Sequence, residues 1–204
     1  MKLNEIENIL KIKFPARFHK IYETGAMEWL EISREEFNKN SDKYKNDPKA
    51  FLMLWCDCEP YPFADIPEAV NHLDELIKMQ EEDEEVSLKE NIRLVPFGHS
   101  NGDVYCFLYE YDNSEPKVIR YFHDEYGDPE IAGNDFDEFL YNIILNSVSY
   151  ESDDGNDEYI YSEPFKEHIK YLSEKYRRLI EGKSQDELLD DFDAIIYGEA
   201  EIWE

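Results

Sequence analysis

The stretch DVYCFLYEY, Asp103 to Tyr111, constrains this chain more than any other. Side chains alternate between the two faces of a strand. Here both alternating sets are apolar: Val104, Cys106 and Leu108 on one face, Tyr105, Phe107 and Tyr109 on the other. A strand of this kind must be covered on both sides, so it belongs at the centre of a sheet with packed layers above and below. Two further strand patterns flank it, IRLVPF before and PKVIRYF after. The turn-forming run YDNSEP joins the second to the third, which predicts antiparallel pairing.

The connection before the central strand is GHSNGD, residues 98–103. Asn101-Gly102 is a strong turn dipeptide, and Gly98 and Gly102 are expected to supply positive φ at the two ends of a bend. Asp103 can hydrogen-bond the backbone of its own turn. A phosphate loop would need G-x-x-x-x-G-K-[ST]; the glycine spacing here is one short, and Asp103 stands where the lysine should be. An acid at that position repels phosphate. Neither G-x-G-x-x-G nor G-x-S-x-G occurs in the chain. The stretch therefore reads as a structural turn of Gly98, Asn101, Gly102 and Asp103.

Elsewhere the patterns alternate between helix and turn. LNEIENILKIKF carries Leu3, Ile6, Ile9 and Leu10 at helical spacing. Pro15 suits the first turn of a second helix with Phe18, Ile21 and Tyr22 on one face, and Gly25 closes it. MEWLEIS reads as a short strand, REEFNKNSDKYKNDPKA as a polar loop, and FLMLWC as a buried strand ended by Pro60 and Pro62. Pro67 and Glu68 open a helix with Val70, Leu73, Ile77 and Met79 on its apolar face. It runs out into Glu81, Glu82, Asp83, Glu84 and Glu85, whose mutual repulsion predicts a solvated helix end or loop. NDFDEFLYNIILNSV predicts a helix capped by Asn134 or Asp135, with Phe136, Phe139, Leu140, Ile143, Ile144 and Ser147 on one face. SYESDDGNDEY is the best candidate boundary. Beyond it lie a helix over EPFKEHIKYLSEKYRRLIEG, with Phe165, Ile169, Leu172, Tyr176 and Leu179 on one stripe, and a capping box at Ser184 and Glu187. The order predicts an α+β fold: a mainly antiparallel central sheet flanked by helices, with a helical C-terminal extension. The expected division is a domain over 1–148 and an acidic helical extension over 149–204, packed on it.

Charge bounds the partners. The 204 residues include 49 acidic and 21 basic side chains, net −28, yet 42% are hydrophobic, enough for a core. The acid is one-sided along the chain: residues 1–50 carry net +1 and residues 51–204 net −29. Nucleic acid and anionic membranes need clustered Lys and Arg, which are absent from the pattern. A cationic protein is the favoured ligand, since complementary potentials speed encounter; the alternative is an acidic surface that serves only to keep the protein soluble. The densest negative run, Glu81 to Glu85, is the candidate partner-binding element. No apolar run approaches the roughly 20 residues that span a bilayer, so a soluble, cytoplasmic protein is expected. The three cysteines include Cys56 and Cys58 in C-x-C spacing without a second pair, which points to core packing rather than zinc.

Two chemical readings stay open: a catalytic turn of His99 with Ser100 and Asp103, and a metal-dependent site of His99 and Asp103 with His123 and Asp124 of YFHDEYGD, if the fold brought them together. His19, His72 and His168 lie on helical patterns without partners at metal spacing and are expected to be surface or half-buried residues. The 15 tyrosines fit core and sheet covering, with an interface as the functional alternative.

Three stretches carry a family resemblance. They are FPARFHKIYETGA, a Pro-led helix ending near glycine; IRLVPFGHSNGDVYCF, a strand, Pro, Gly-containing turn, Gly-Asp pair and aromatic strand; and PKVIRYFHDEYGDPEIAGNDFDEFLYNII, a closing strand, turn and Phe-rich helix. Their order resembles the SUKH superfamily over about residues 1–148. That superfamily includes a yeast regulator of cell-wall glucan synthesis and many bacterial immunity proteins. The resemblance implies an α+β sheet domain, no catalysis, no cofactor and no catalytic residues to carry over. In bacteria it implies an immunity protein that neutralises a cognate toxin, often a nuclease or deaminase; a regulatory scaffold is the alternative the yeast relative suggests. The segment from about Tyr150 to Glu204 has no counterpart in the resemblance.

Overall fold

The structure is a computed structural model that describes residues 1–51, 58–111, 115–122 and 128–204. Its frame is a six-stranded antiparallel sheet in which every strand neighbours the next in sequence: β1 (Glu59–Pro60), β2 (Ile92–Ser100), β3 (Asp103–Glu110), β4 (Lys117–Tyr121), β5 (Glu130–Gly133) and β6 (Gly198–Glu199). β3 lies inside the sheet, paired with β2 and β4. Its two side-chain sets enter two separate cores. Tyr105 and Phe107 pack on one face with α1 (Leu3–Leu10), α2 (Ala16–Glu23) and α6 (Phe136–Asp153). Val104, Cys106 and Leu108 pack on the other with α5 (Ile66–Glu84), through Leu73 and Ile77.

The first core is built on phenylalanine. Phe97 stacks on Phe107 with ring centres 4.4 Å apart and meets Phe139 edge-on at 5.5 Å. Phe18 meets Phe107 edge-on at 5.9 Å. Such pairs add a fraction of a kcal/mol to about 1.5 kcal/mol each beyond burial. Asp135 caps α6 by accepting the Glu138 N–H at 2.8 Å. The chain between β5 and α6 is tight: a Cβ on Gly133 would lie 2.5 Å from the Phe139 nitrogen.

Several elements differ from the sequence expectation. MEWLEIS is not a strand but contains a 3-10 turn over Glu28–Glu31. Adjacent Trp29 and Leu30 are both buried, which an alternating strand cannot arrange. The polar stretch after it is not a loop but two short helices, α3 (Arg34–Lys39) and α4 (Ser41–Lys45). Ser33 caps α3 by accepting the Glu36 N–H, and Phe37 ties the pair down by packing between Trp29 and Tyr44. Pro60 is the last residue of β1, which begins at Glu59. FLMLWC, with Cys56, lies almost wholly outside the described residues. Met79 is exposed; Gln80 takes its place on the buried face of α5 and accepts the Tyr121 hydroxyl at 2.6 Å.

The single helix expected over residues 163–182 is broken. α7 (Glu163–His168) passes through a 3-10 turn, Ile169–Tyr171, and restarts as α8 (Glu174–Ile180) after the extended Leu172 and Ser173. The break lets the consecutive Tyr171 and Leu172 both face inward, while Leu179 is left exposed. His168 is buried, not superficial, with its ring nitrogens 2.9 Å from the Pro164 carbonyl and 3.1 Å from that of Ala50. Helix α9 (Gln185–Asp193) starts with the Ser184–Glu187 capping box.

The last residues were not anticipated as sheet. After α9 the chain adds β6 to β5, then inserts Ala200 and Ile202 into the core under α5. Trp203 bridges Leu88. The tail therefore completes the second core.

Candidate functional site

The turn between β2 and β3 is a two-residue hairpin. Ser100 pairs with Asp103, and Asn101 and Gly102 have φ of +49° and +100°. Positive φ at both central residues matches the right-handed strand twist, and asparagine and glycine tolerate it best. Gly98 departs from the expectation: it is not a positive-φ residue. It sits inside β2 at a bulge, where a Cβ would lie 2.6 Å from the Cys58 Sγ and 3.1 Å from the Glu59 carbonyl oxygen. The glycine is needed for the close approach of β1.

The hairpin register separates His99 from Asp103. His99 pairs with Val104 and so shares its face, with its ring 4.9 Å from that of Tyr61. Asp103 points to the other face, beside Tyr105, where its carboxylate is held by Arg120 at 2.7 and 2.9 Å. His123 and Asp124 lie outside the described residues. Among the described residues no group of three or more His, Cys, Asp or Glu side chains is arranged to hold a metal.

A second ionisable cluster is structural in its geometry. The Glu7 carboxylate is buried, which by itself would raise its pKa. The Lys13 ammonium at 2.7 Å, the Phe14 N–H at 2.9 Å and the His19 Nε2 at 2.7 Å outweigh burial and hold it below the usual carboxylate range. These contacts clamp α1 to the start of α2.

The acidic run has the most unusual surroundings. Glu81 to Glu84 form the last turn of α5, and Glu85 ends it at φ +55°. Glu82, Asp83, Glu84 and Glu85 are exposed. A helix C-terminus already carries partial negative charge, so carboxylates there oppose the dipole, and the turn has no basic residue to offset them. Glu81 is the partly structural member: its Oε1 accepts the Leu88 N–H at 3.0 Å and folds the following loop back. The C-terminal segment joins that loop. Ser87 and Glu204 exchange backbone hydrogen bonds at 3.0 and 2.8 Å, and the Lys89 N–H donates to the Ile202 carbonyl at 2.9 Å. Glu204 thus comes beside residues about 117 positions earlier, and Lys89 reaches the same segment, its Nζ donating to the Glu201 carbonyl at 2.7 Å. From Ser184 to Glu204 there are eight acidic side chains and no Lys or Arg. That compositional bias was visible in the sequence; the pairing of Glu204 with Ser87 was not, because it joins distant positions, and five of the eight acids lie on α9, which packs on α6.

Fold and surface together define an α+β sheet domain, layered on both faces, with four exposed carboxylates at the C-terminal end of α5. The chain belongs to the SMI1 / KNR4 family (SUKH-1), whose profile matches residues 2–142. The match covers the sheet through β5 and the first turns of α6, and leaves out α7, α8, α9 and the tail. The chain matched no curated protein and no solved structure. The family is generally non-enzymatic and its members are often immunity proteins. No helix among the described residues is long and apolar enough to cross a membrane.

Proposed function

We propose that this chain is a non-enzymatic, cytoplasmic protein-binding module, an immunity protein that neutralises a cognate basic toxin of the nuclease type. The observation that carries the reading is the acidic end of α5. Four exposed carboxylates stand where the helix dipole makes them unfavourable, with Glu204 drawn in beside the following loop. Charge held against local stability is a mark of a surface kept for a partner. A cationic protein gains from it twice, through faster encounter and through rejection of like-charged competitors. Family membership supports the same reading. The extension from residue 149 is proposed as a part of the binding surface that is particular to this chain.

The direct test is to read the neighbouring gene and, where it encodes a large secreted multidomain protein, to co-express the chain with that protein's C-terminal domain. Rescue of growth, with a stoichiometric complex on gel filtration, is the expected result. A chain that leaves toxicity unchanged and forms no complex would refute the proposal.

A further inference from the structure

A second surface lies where the part of the chain beyond the family match packs against β5 and α6. Between β5, α6, α8 and the segment that follows α9 runs an open groove of about 560 Å³. Its apolar lining includes Ile131, Leu179, Ile195, Ile196 and Tyr197. Three of these are exposed large apolar residues: Ile196 at 93%, Leu179 at 44% and Tyr197 at 40%. Single exposed apolar residues are ordinary, but several converging on one concavity mark an interaction site.

The surroundings select the occupant. Helix α9, which leads directly into the groove through Ala194 and Ile195, carries five carboxylates, of which Asp191 pairs with Lys183. Glu199 follows on the other side. On α8, Arg177 and Arg178 pair with Glu181 and Glu174; Lys175 is the one cation among the described residues of the lining, and its ammonium lies over the Tyr176 ring at 4.2 Å. A second copy of the chain would bring another net −28 against this surface and be repelled. A basic segment would be attracted.

We propose that this groove receives an aliphatic or aromatic side chain from a Lys- or Arg-rich segment of the partner protein. The inference rests on the protein-binding reading above and assigns it a place: apolar anchoring at Ile196, with the α9 carboxylates holding the flanking cations. An anchor in a concavity with charges at its rim is the usual division of labour at a protein interface, the anchor setting dissociation and the rim setting encounter.

The test uses three short peptides on the full chain: Lys-Lys-Ile-Lys-Lys, Lys-Lys-Ser-Lys-Lys and Glu-Glu-Ile-Glu-Glu. Isoleucine methyl and backbone amide NMR shifts report where each binds. The basic isoleucine peptide is expected to shift the Ile131 and Ile196 methyls and to bind about tenfold more tightly than the serine peptide, the equivalent of half-burying one isoleucine. Ile196→Ser should abolish that difference while leaving thermal unfolding unchanged, since the side chain is 93% exposed. If both basic peptides shift only the amides of Glu81 to Glu85, the groove is refuted and the acidic-surface reading stands. If neither basic peptide binds at low salt, both fail. Equal binding of the acidic isoleucine peptide, or Ile196 shifts that follow dilution alone, would refute a cationic occupant in favour of a purely apolar one or a second copy.

Discussion

Ile202→Ala is the sharpest perturbation of the tail. Ile202 is fully buried in the core under α5, although it lies two residues from the last position of the sequence. The substitution removes three carbons, about 2.4 kcal/mol at about 0.8 kcal/mol per buried methylene. The unfilled cavity raises the cost toward the middle of the range of about 2–5 kcal/mol for Ile→Ala. About 3 kcal/mol is therefore expected, a large share of the roughly 5–15 kcal/mol that holds a domain folded. Equilibrium urea unfolding followed by tryptophan fluorescence reads it directly. With a slope of about 2 kcal/mol per molar, the midpoint should fall by about 1.5 M with the slope unchanged. Ile196→Ala is the internal control: it lies six residues earlier, is 93% exposed, and should leave the midpoint in place. A midpoint for Ile202→Ala within about 0.3 M of the parent would show that the tail is an appendage and not part of the second core.

Two further outcomes follow from local geometry. Gly133→Ala forces a Cβ to 2.5 Å from the Phe139 nitrogen and 2.9 Å from the Asp135 carbonyl oxygen, backbone atoms of the first turn of α6 that cannot rotate away. Thermal unfolding should show a loss of about 2–3 kcal/mol, and an unchanged midpoint would contradict the close packing of β5 on α6. Glu7→Gln should destabilise the chain at pH 7, because the folded state holds this carboxylate below its usual value of 4.5. The unfolded state then binds more protons as the pH drops. The contribution is present above about 4.5 and is lost as the pH falls toward the lower folded value, so parent and variant should converge in acid. A stability gap independent of pH would refute the role of the charge.

The sheet was legible because β3 is a local signal. Nine residues with both faces apolar admit only a covered central strand, and Asn101-Gly102 fixed the hairpin beside it. The elements that escaped were those whose residues say little in isolation. β5 is four residues long and β6 two, too short to show a period, and each exists because a neighbour supplies its hydrogen bonds. The 3-10 turn at Glu28–Glu31 and the break at Leu172 both bury consecutive side chains, a pattern that periodicity reads wrongly as continuous strand or helix. Gly98 looked like a turn residue because it neighbours one; its real constraint, contact with Cys58 and Glu59, is tertiary. The acidic run was evident from the sequence, and so was the absence of basic residues after Ser184. The pairing of Glu204 with Ser87, and the exposure of Ile196 above a groove, depend on how the tail crosses the sheet.

The most direct test of an acidic surface built to capture a basic partner is the association rate of the chain with its cognate toxin domain as a function of salt. The rate should fall steeply between low and physiological ionic strength while dissociation changes little, because screening acts on the encounter. Reversing Glu81, Glu82, Asp83, Glu84 and Glu85 to lysine should bring the low-salt rate down to the high-salt one. A wild-type rate indifferent to salt would contradict the account.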